Sequence, residues 1–334
     1  MAAKIQRTVA RCRGARRRGA WLALSCAALV VRATAAPLEP PPWAFAINPP
    51  GGDAQPSGAA ERRYRVPGSA SAYTRAEVSD LFTVADWHPD DHPPAPGVVA
   101  RGRPPQLWAC GFCHLPNGQG RPENASLAGL PVAYIVRQVG EFASGQRRSA
   151  DPAHRPSAMM GDEAMAVSPA ELEAAAAYFA SLRRRSWIRV VESAQVPRMR
   201  VAGWMLVPDA AGGTEPIGAR IVETPENVEY TELRDDESGF VAYVPPGSIA
   251  RGQALASGGG GLPACAGCHG TRLRGAGDIP PLAGRSPSYL VRQLVNFNRG
   301  ARAGALAVLM QPVAASLSVD DMVALAAYAA SLPP

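Results

Sequence analysis

Four cysteines and two histidines carry most of the chemistry open to this 334-residue chain. They form two runs, Cys110-Gly-Phe-Cys113-His114 and Cys265-Ala-Gly-Cys268-His269, and each reads C-x-x-C-H. Two thiols three positions apart can add to the two vinyl groups of one haem, and the imidazole that follows then lies under the iron as its proximal ligand. Other uses of a C-x-x-C unit explain less. A thioredoxin-like dithiol needs a strand-to-helix setting and no histidine, whereas the second run here follows the glycines Gly258 to Gly261. Zinc needs four converging ligands, and a histidine next to a cysteine rarely reaches the same tetrahedron. Two short disulfides would leave His114 and His269 without a shared purpose. The remaining cysteines, Cys12 and Cys26, lie near the N-terminus, so none is left for a disulfide framework.

An internal repeat ties the two runs to one module used twice. An offset of 155 superposes Cys110 on Cys265, Leu127-Ala-Gly129 on Leu282-Ala-Gly284, and Tyr134-Ile-Val-Arg-Gln138 on Tyr289-Leu-Val-Arg-Gln293. An offset of 150 aligns Ser168 with Ser318 and Tyr178 with Tyr328, and upstream it aligns Pro96 to Gly102 with Pro246 to Gly252. The elements that must position the chemistry follow from this pattern. Ala133 to Ser144 carries apolar residues at helical spacing and stops at Gly145, a left-handed C-cap. Its twin runs from Pro287, capped by Ser286, to Arg299 before Gly300. The last helices open on the capping-box forms Ser168-Pro-Ala-Glu171 and Ser318-Val-Asp-Asp321. With a helix ahead of each C-x-x-C-H run, each module of about 90 residues reads as a small all-α unit whose haem supplies core that so short a chain lacks.

An iron held this way has a sixth position. Met160 lies eight residues before Ser168, and Met310 lies eight before Ser318. A thioether is a soft, neutral ligand that favours ferrous iron and raises the potential. A methionine filling a gap in an apolar core is the competing reading. In the first module Met159 is a neighbour that could substitute, Met165 is a weaker contender, and His154 would make a bis-histidine site unless it is a solvent-exposed loop residue.

Charge and composition bound the rest. The formal net charge is +6, but residues 1–36 hold eight basic side chains and no acidic one, which leaves the remainder at −2. The basic balance therefore belongs to the leader, and a nucleic-acid partner loses its support. That leader pairs a basic start with the apolar stretch Ala20 to Val31 and a small-residue site at Ala33-Thr34-Ala35, the layout of a secretory signal. Twelve residues fall short of the about 20 that span a bilayer. The segment 36–93 is rich in Pro and Gly and reads as an extended or disordered lead-in that contributes reach and no chemistry. Within it, Trp87-His-Pro-Asp-Asp-His92 reads as a solvated loop more readily than as a metal site. Residues 186–245 contain the β-rich runs Trp187 to Val191, Met199 to Val207, Ala219 to Val222 and Phe240 to Val244. They read as a small antiparallel sheet or long hairpins, packed between the modules, facing a partner, or serving as a spacer.

Both modules resemble class I c-type cytochromes, and their tandem arrangement resembles the periplasmic two-domain dihaem shuttle cytochromes, over Pro94 to Arg185 and Pro246 to Pro334. The resemblance implies a mainly α fold, with two small all-α cytochrome c domains in tandem at 94–185 and 246–334 and the β-rich segment between them, behind a signal peptide at 1–35. It implies two covalently attached c-type haems, one on Cys110 and Cys113 and one on Cys265 and Cys268. Their irons would be held by His114 with Met160 and by His269 with Met310. Ile279-Pro280-Pro281-Leu-Ala-Gly284 matches the family segment in which a proline carbonyl orients the proximal imidazole. The first module reads Asn124-Ala-Ser-Leu-Ala-Gly129, which lacks those prolines and puts the equivalent carbonyl near Ala125.

The implied role is single-electron transfer in a periplasmic or respiratory chain. The partners would be redox proteins, with a donor dehydrogenase or quinol-oxidising complex on one side and an acceptor oxidase or reductase on the other. A retained leader would add peripheral membrane association. A dihaem peroxidase-like enzyme competes, but it requires one haem with an open sixth position, and two register-matched methionines argue against that. A cytochrome subunit of a membrane-associated dehydrogenase is the third reading. The three-haem form of such subunits carries three C-x-x-C-H runs, and this chain has two.

Overall fold

The computed structural model describes residues 38–50 and 62–334, so the leader and its proposed cleavage site lie outside the described residues. In chain order the described elements are β1 (Arg63–Tyr64), β2 (Tyr73–Thr74), α1 (Arg75–Val78), α2 (Gly97–Ala100), α3 (Cys110–His114), α4 (Val132–Ala143), α5 (Arg155–Ala166) and α6 (Pro169–Ser181). The inter-repeat segment supplies β3 (Ile188–Glu192), β4 (Gln195–Pro197), β5 (Met199–Ala202), β6 (Met205–Pro208), β7 (Thr214–Pro216), β8 (Val222–Pro225), α7 (Val228–Glu232) and β9 (Phe240–Val244). The second repeat adds α8 (Ser248–Ala256), α9 (Ala266–His269), α10 (Pro287–Asn298), α11 (Ala307–Ala315) and α12 (Val319–Ser331). The fold is thus mainly helical, with some sheet.

Local signals set the long helices. Ser168 Oγ accepts from Glu171 N while the Glu171 carboxylate accepts from Ser168 N, and Ser318 and Asp321 repeat the exchange at α12. Each such cap contributes about 1 kcal/mol. Ser286 Oγ accepts from Tyr289 N ahead of Pro287 at the start of α10. Gly145 and Gly300, with φ of 71° and 68°, follow the ends of α4 and α10.

The repeat is visible bond by bond. Gly120 N donates to His114 O at 2.9 Å, and Gly275 N donates to His269 O at 2.7 Å. Leu127 N to Gly118 O and Leu282 N to Leu273 O are both 2.8 Å. Gly129 N reaches Phe179 O and Gly284 N reaches Ala329 O, which fastens each loop to the terminal helix of its own repeat. The copies diverge just ahead of the motif, where α2 is a single turn and α8 is nine residues long. Gly252 allows α8 to lie directly on α12, because a Cβ there would fall on the Ala324 carbonyl.

Two expectations change. The described part of the lead-in is packed, not extended: Trp87 is 1% exposed and donates Nε1–H to Leu233 O at 2.7 Å, and Phe45 is buried in the core of the second repeat. Aromatic anchors set among the prolines bury enough apolar surface to hold the chain down. The inter-repeat sheet is mixed, not antiparallel. β3 runs parallel to β9, while β8 is antiparallel to β9. The segment also contacts both repeats, with Ile221 and Val244 in the core of the second and Arg234 Nη1 donating to Phe112 O of the first. The repeats meet at an antiparallel bridge between Arg147 and Arg302, flanked by Arg148 N to Ala301 O and Ala303 N to Gln146 O, both 2.8 Å.

Candidate functional site

Each C-x-x-C-H run closes a short helical turn and then reverses. Leu115, directly after His114, takes φ 63°, and Gly270, directly after His269, takes φ 75°. Glycine adopts that conformation freely and a leucine does not, at a cost of about 1–3 kcal/mol. At Gly270 a Cβ would collide with the Gly275 carbonyl. The reversal returns each loop under its own histidine. His114 Nδ1 lies 2.8 Å from Ala125 O, and His269 Nδ1 lies 2.9 Å from Pro280 O. A carbonyl can only accept, so the Nδ1–H donates and Nε2 is left with the lone pair that a metal would take. Burial pushes both imidazoles below their usual range against the pull of these carbonyls, and at His114 the Arg147 charge pushes the same way. Both rings are therefore neutral near pH 7, as metal ligation requires.

The thiols of Cys110, Cys113 and Cys265 are also uncharged. Burial pushes Cys110 up to about 12 and raises Cys113 and Cys265. A thioredoxin-like pair needs the opposite, a lowered pKa that exposes thiolate.

Both runs line one continuous cavity of about 700 Å³. Met159, Met160 and Met310 line it too, as does His154. The two methionines singled out by register sit on α5 and α11, helices that sequence reasoning did not anticipate. Met165 is 68% exposed and does not line the cavity, which removes it as a contender. His154 is not a solvated loop residue. It is 2% exposed, neither ring nitrogen has a hydrogen-bond partner, and the ring meets Phe45 edge-on at 5.7 Å. Burial and the Arg292 charge push it down to about 3, so it is neutral.

The polar walls of the cavity were largely missed by sequence reasoning. Arg147 donates to Gln138 Oε1 at 2.9 Å and to Tyr289 Oη at 2.9 Å. Arg302 donates to Gln293 Oε1 at 3.1 Å and to Gln138 Oε1 at 2.6 Å. Each of these arginines follows its helix-ending glycine by two residues, and the 155 offset relates them, so the repeat contained the signal. Arg121, Arg285 and Arg292 are buried in the same walls, against the two buried carboxylates Glu123 and Glu141. A surplus of buried guanidinium asks for an anionic occupant. The lining thus fits haem: paired thiols for the vinyl groups, neutral imidazoles for iron, apolar walls for the macrocycle and arginines for its propionates.

A model of the cytochrome c family matches residues 102–183 and 249–333, half of the chain, with one C-x-x-C-H run in each match. The thiosulfate dehydrogenase electron acceptor of Thiomonas intermedia (strain K12) is 27% identical over 233 residues, covering 69% of this chain and 81% of the relative. Cytochrome c4 of Azotobacter vinelandii is 27% identical over 239 residues, 70% of this chain and 89% of the relative. Among solved structures, reduced recombinant cytochrome c4 from Pseudomonas stutzeri is similar at 25% identity and a TM-score of 0.44, covering 67% of this chain and 93% of that chain. Geometry and comparison agree, and the chain belongs to the cytochrome c family as a class I member that carries two covalent c-type haems and transfers electrons.

Proposed function

We propose that this dihaem cytochrome is a periplasmic shuttle that takes single electrons from a donor at one haem and releases them to an acceptor from the other, with no bond chemistry of its own. The haems supply reversible one-electron iron chemistry. Cys110 and Cys113 hold the first and Cys265 and Cys268 the second. His114 and His269 are the proximal ligands, and Met160 and Met310 fill the sixth positions, with Met159 and His154 the alternatives at the first iron. In this reading 94–185 and 246–334 are two all-α haem domains in tandem, separated by the β-rich 186–245. The observation that carries it is the repeated pairing of a neutral histidine with a loop carbonyl, at 2.8 and 2.9 Å, in a cavity that also holds both register-matched methionines.

The residues then have distinct tasks. The carbonyls of Ala125 and Pro280 fix the imidazole tautomer and orientation. The methionine thioethers favour ferrous iron, and the buried Arg147 and Arg302 add positive charge that does the same. One shared cavity lets an electron cross between the haems without a partner. The basic, apolar leader supports the periplasmic location, and among the described residues no helix is long and apolar enough to cross a membrane. A relative named as the electron acceptor of thiosulfate dehydrogenase makes a dehydrogenase of that kind a fitting donor.

The dithionite-reduced holoprotein, with and without carbon monoxide at neutral pH, tests the assignment. Low-spin spectra that do not respond to carbon monoxide are expected. A shift at one haem would indicate an open iron and favour a peroxidase-like enzyme.

A further inference from the structure

Away from the haem cavity, one buried set of ligating groups has no task in electron transfer. His88, Asp235 and Asp236 each offer a ligand atom, and the three atoms lie within 4.8 Å of one another. All three residues are buried. His88 comes from the lead-in, and the two aspartates come from the loop after α7. His88 Nε2 is 3.0 Å from Asp235 Oδ1 and 3.9 Å from Glu237 Oε2.

Asp236 is the informative member. It is 1% exposed, and its Oδ1 has no hydrogen-bond partner. Among the described residues neither aspartate forms an ion pair with an arginine. Two carboxylates adjoin a single imidazole here, so one of them is left without a counter-charge, and burial pushes Asp236 up to about 7. Buried charges are stable when they are paired or when they coordinate a metal.

The surroundings show what such a bond would hold. Trp87, next to His88, donates to Leu233 O. Asn117 Nδ2 donates to Asp236 O, and Gln119 Nε2 donates to Ser238 O at 3.1 Å. The cluster thus lies where the lead-in, the 230–238 loop and the loop after His114 come together.

We propose that His88, Asp235 and Asp236 bind one divalent transition cation of the zinc class, which pins the lead-in and the 230–238 loop over the first haem-binding loop. One imidazole nitrogen and two carboxylate oxygens, with water completing the shell, make a borderline ligand set that suits such an ion. Calcium would want six or more oxygens, and cuprous ion would want sulfur.

The holoprotein, dialysed against a chelator and desalted, would be titrated with zinc chloride alone, reading zinc against haem iron by elemental analysis and the melting temperature by the Soret band. Saturation at one zinc per two irons, with a raised melting temperature, is expected. Asp236→Asn, with its haem spectra intact, should take zinc at least about tenfold more weakly. Calcium chloride should leave the melting curve unmoved. No saturable zinc uptake by the unmodified holoprotein, or equal affinity in Asp236→Asn, would overturn the proposal. Should Asp236→Asn not fold, the stoichiometry of the unmodified protein decides alone.

Discussion

The two haem-binding loops share a hydrogen-bond skeleton and differ in what covers them. Both return a glycine N–H to the histidine carbonyl, and both aim a loop carbonyl at the histidine Nδ1. The first loop is nevertheless buried almost continuously over 111–123, while most of 266–278 in the second is exposed, Cys268 included. The cause lies outside the repeat. The loop after α7 lies on the first copy, with the Arg234 guanidinium 3.6 Å from the centre of the Phe112 ring and Asn117 donating to Asp236 O. Local backbone geometry therefore sets the ligand, and non-repeated sequence sets the polarity around it. Burial disfavours the more highly charged ferric state, so the covered first haem should have the higher potential.

Five experiments would break or sharpen this contrast. Met310→His should lower the potential of the second haem by on the order of 0.1 V or more and leave the first in place, since axial ligands move potentials over a range of ~0.8 V. Met160→His should do the converse, and a redox titration showing no change would strike that methionine from the ligand set. Arg234→Gln removes the charge lying on Phe112 and the bond to its carbonyl. It should lower the first haem's potential only and destabilise the fold by about 1–3 kcal/mol, read by potentiometry and melting. Equal shifts at both haems would mean that the cover is not the source of the asymmetry.

A smaller effect is expected from Asn117→Ala, about 1 kcal/mol in melting, because it loosens the same cover by one hydrogen bond. The smallest concerns the second repeat. Burial pushes the Glu223 carboxyl up even though it accepts from Ser286 and Ser288. A carboxyl raised in the folded state contributes stability that is complete below its unfolded value and is lost as pH rises through the folded one. Glu223→Gln should therefore flatten the fall in stability above about pH 4, where an unfolded glutamate titrates. An unchanged pH slope in thermal melts would refute this.

Much of the site was legible in the sequence because its determinants are local. The C-x-x-C-H turns, the caps at Ser168, Ser286 and Ser318, and the glycines ending α4 and α10 act within a few residues and read directly. The Met160 and Met310 registers were readable from the repeat, yet the helices that carry them were not. Gly161 in α5 and Pro312 inside α11 argue against helix; α5 carries few large apolar residues, and α11 is apolar on nearly every side, so neither shows the one-sided period that marks a helix. The parallel pairing of β3 with β9 joins strands some fifty residues apart, and no alternation within either strand encodes that choice. The packing of Phe45 and Trp87, the burial of His154 and the cover supplied by Arg234 depend on partners far along the chain, which composition alone would have assigned to solvent.

The central claim is that two six-coordinate irons in unequal surroundings pass electrons one at a time. A spectroelectrochemical titration of the holoprotein, run under nitrogen and again under carbon monoxide, tests it most directly. Two one-electron waves are expected, with the higher moved by Met160→His and neither moved by carbon monoxide. A single unresolved wave, or one that disappears when carbon monoxide is admitted, would contradict the account.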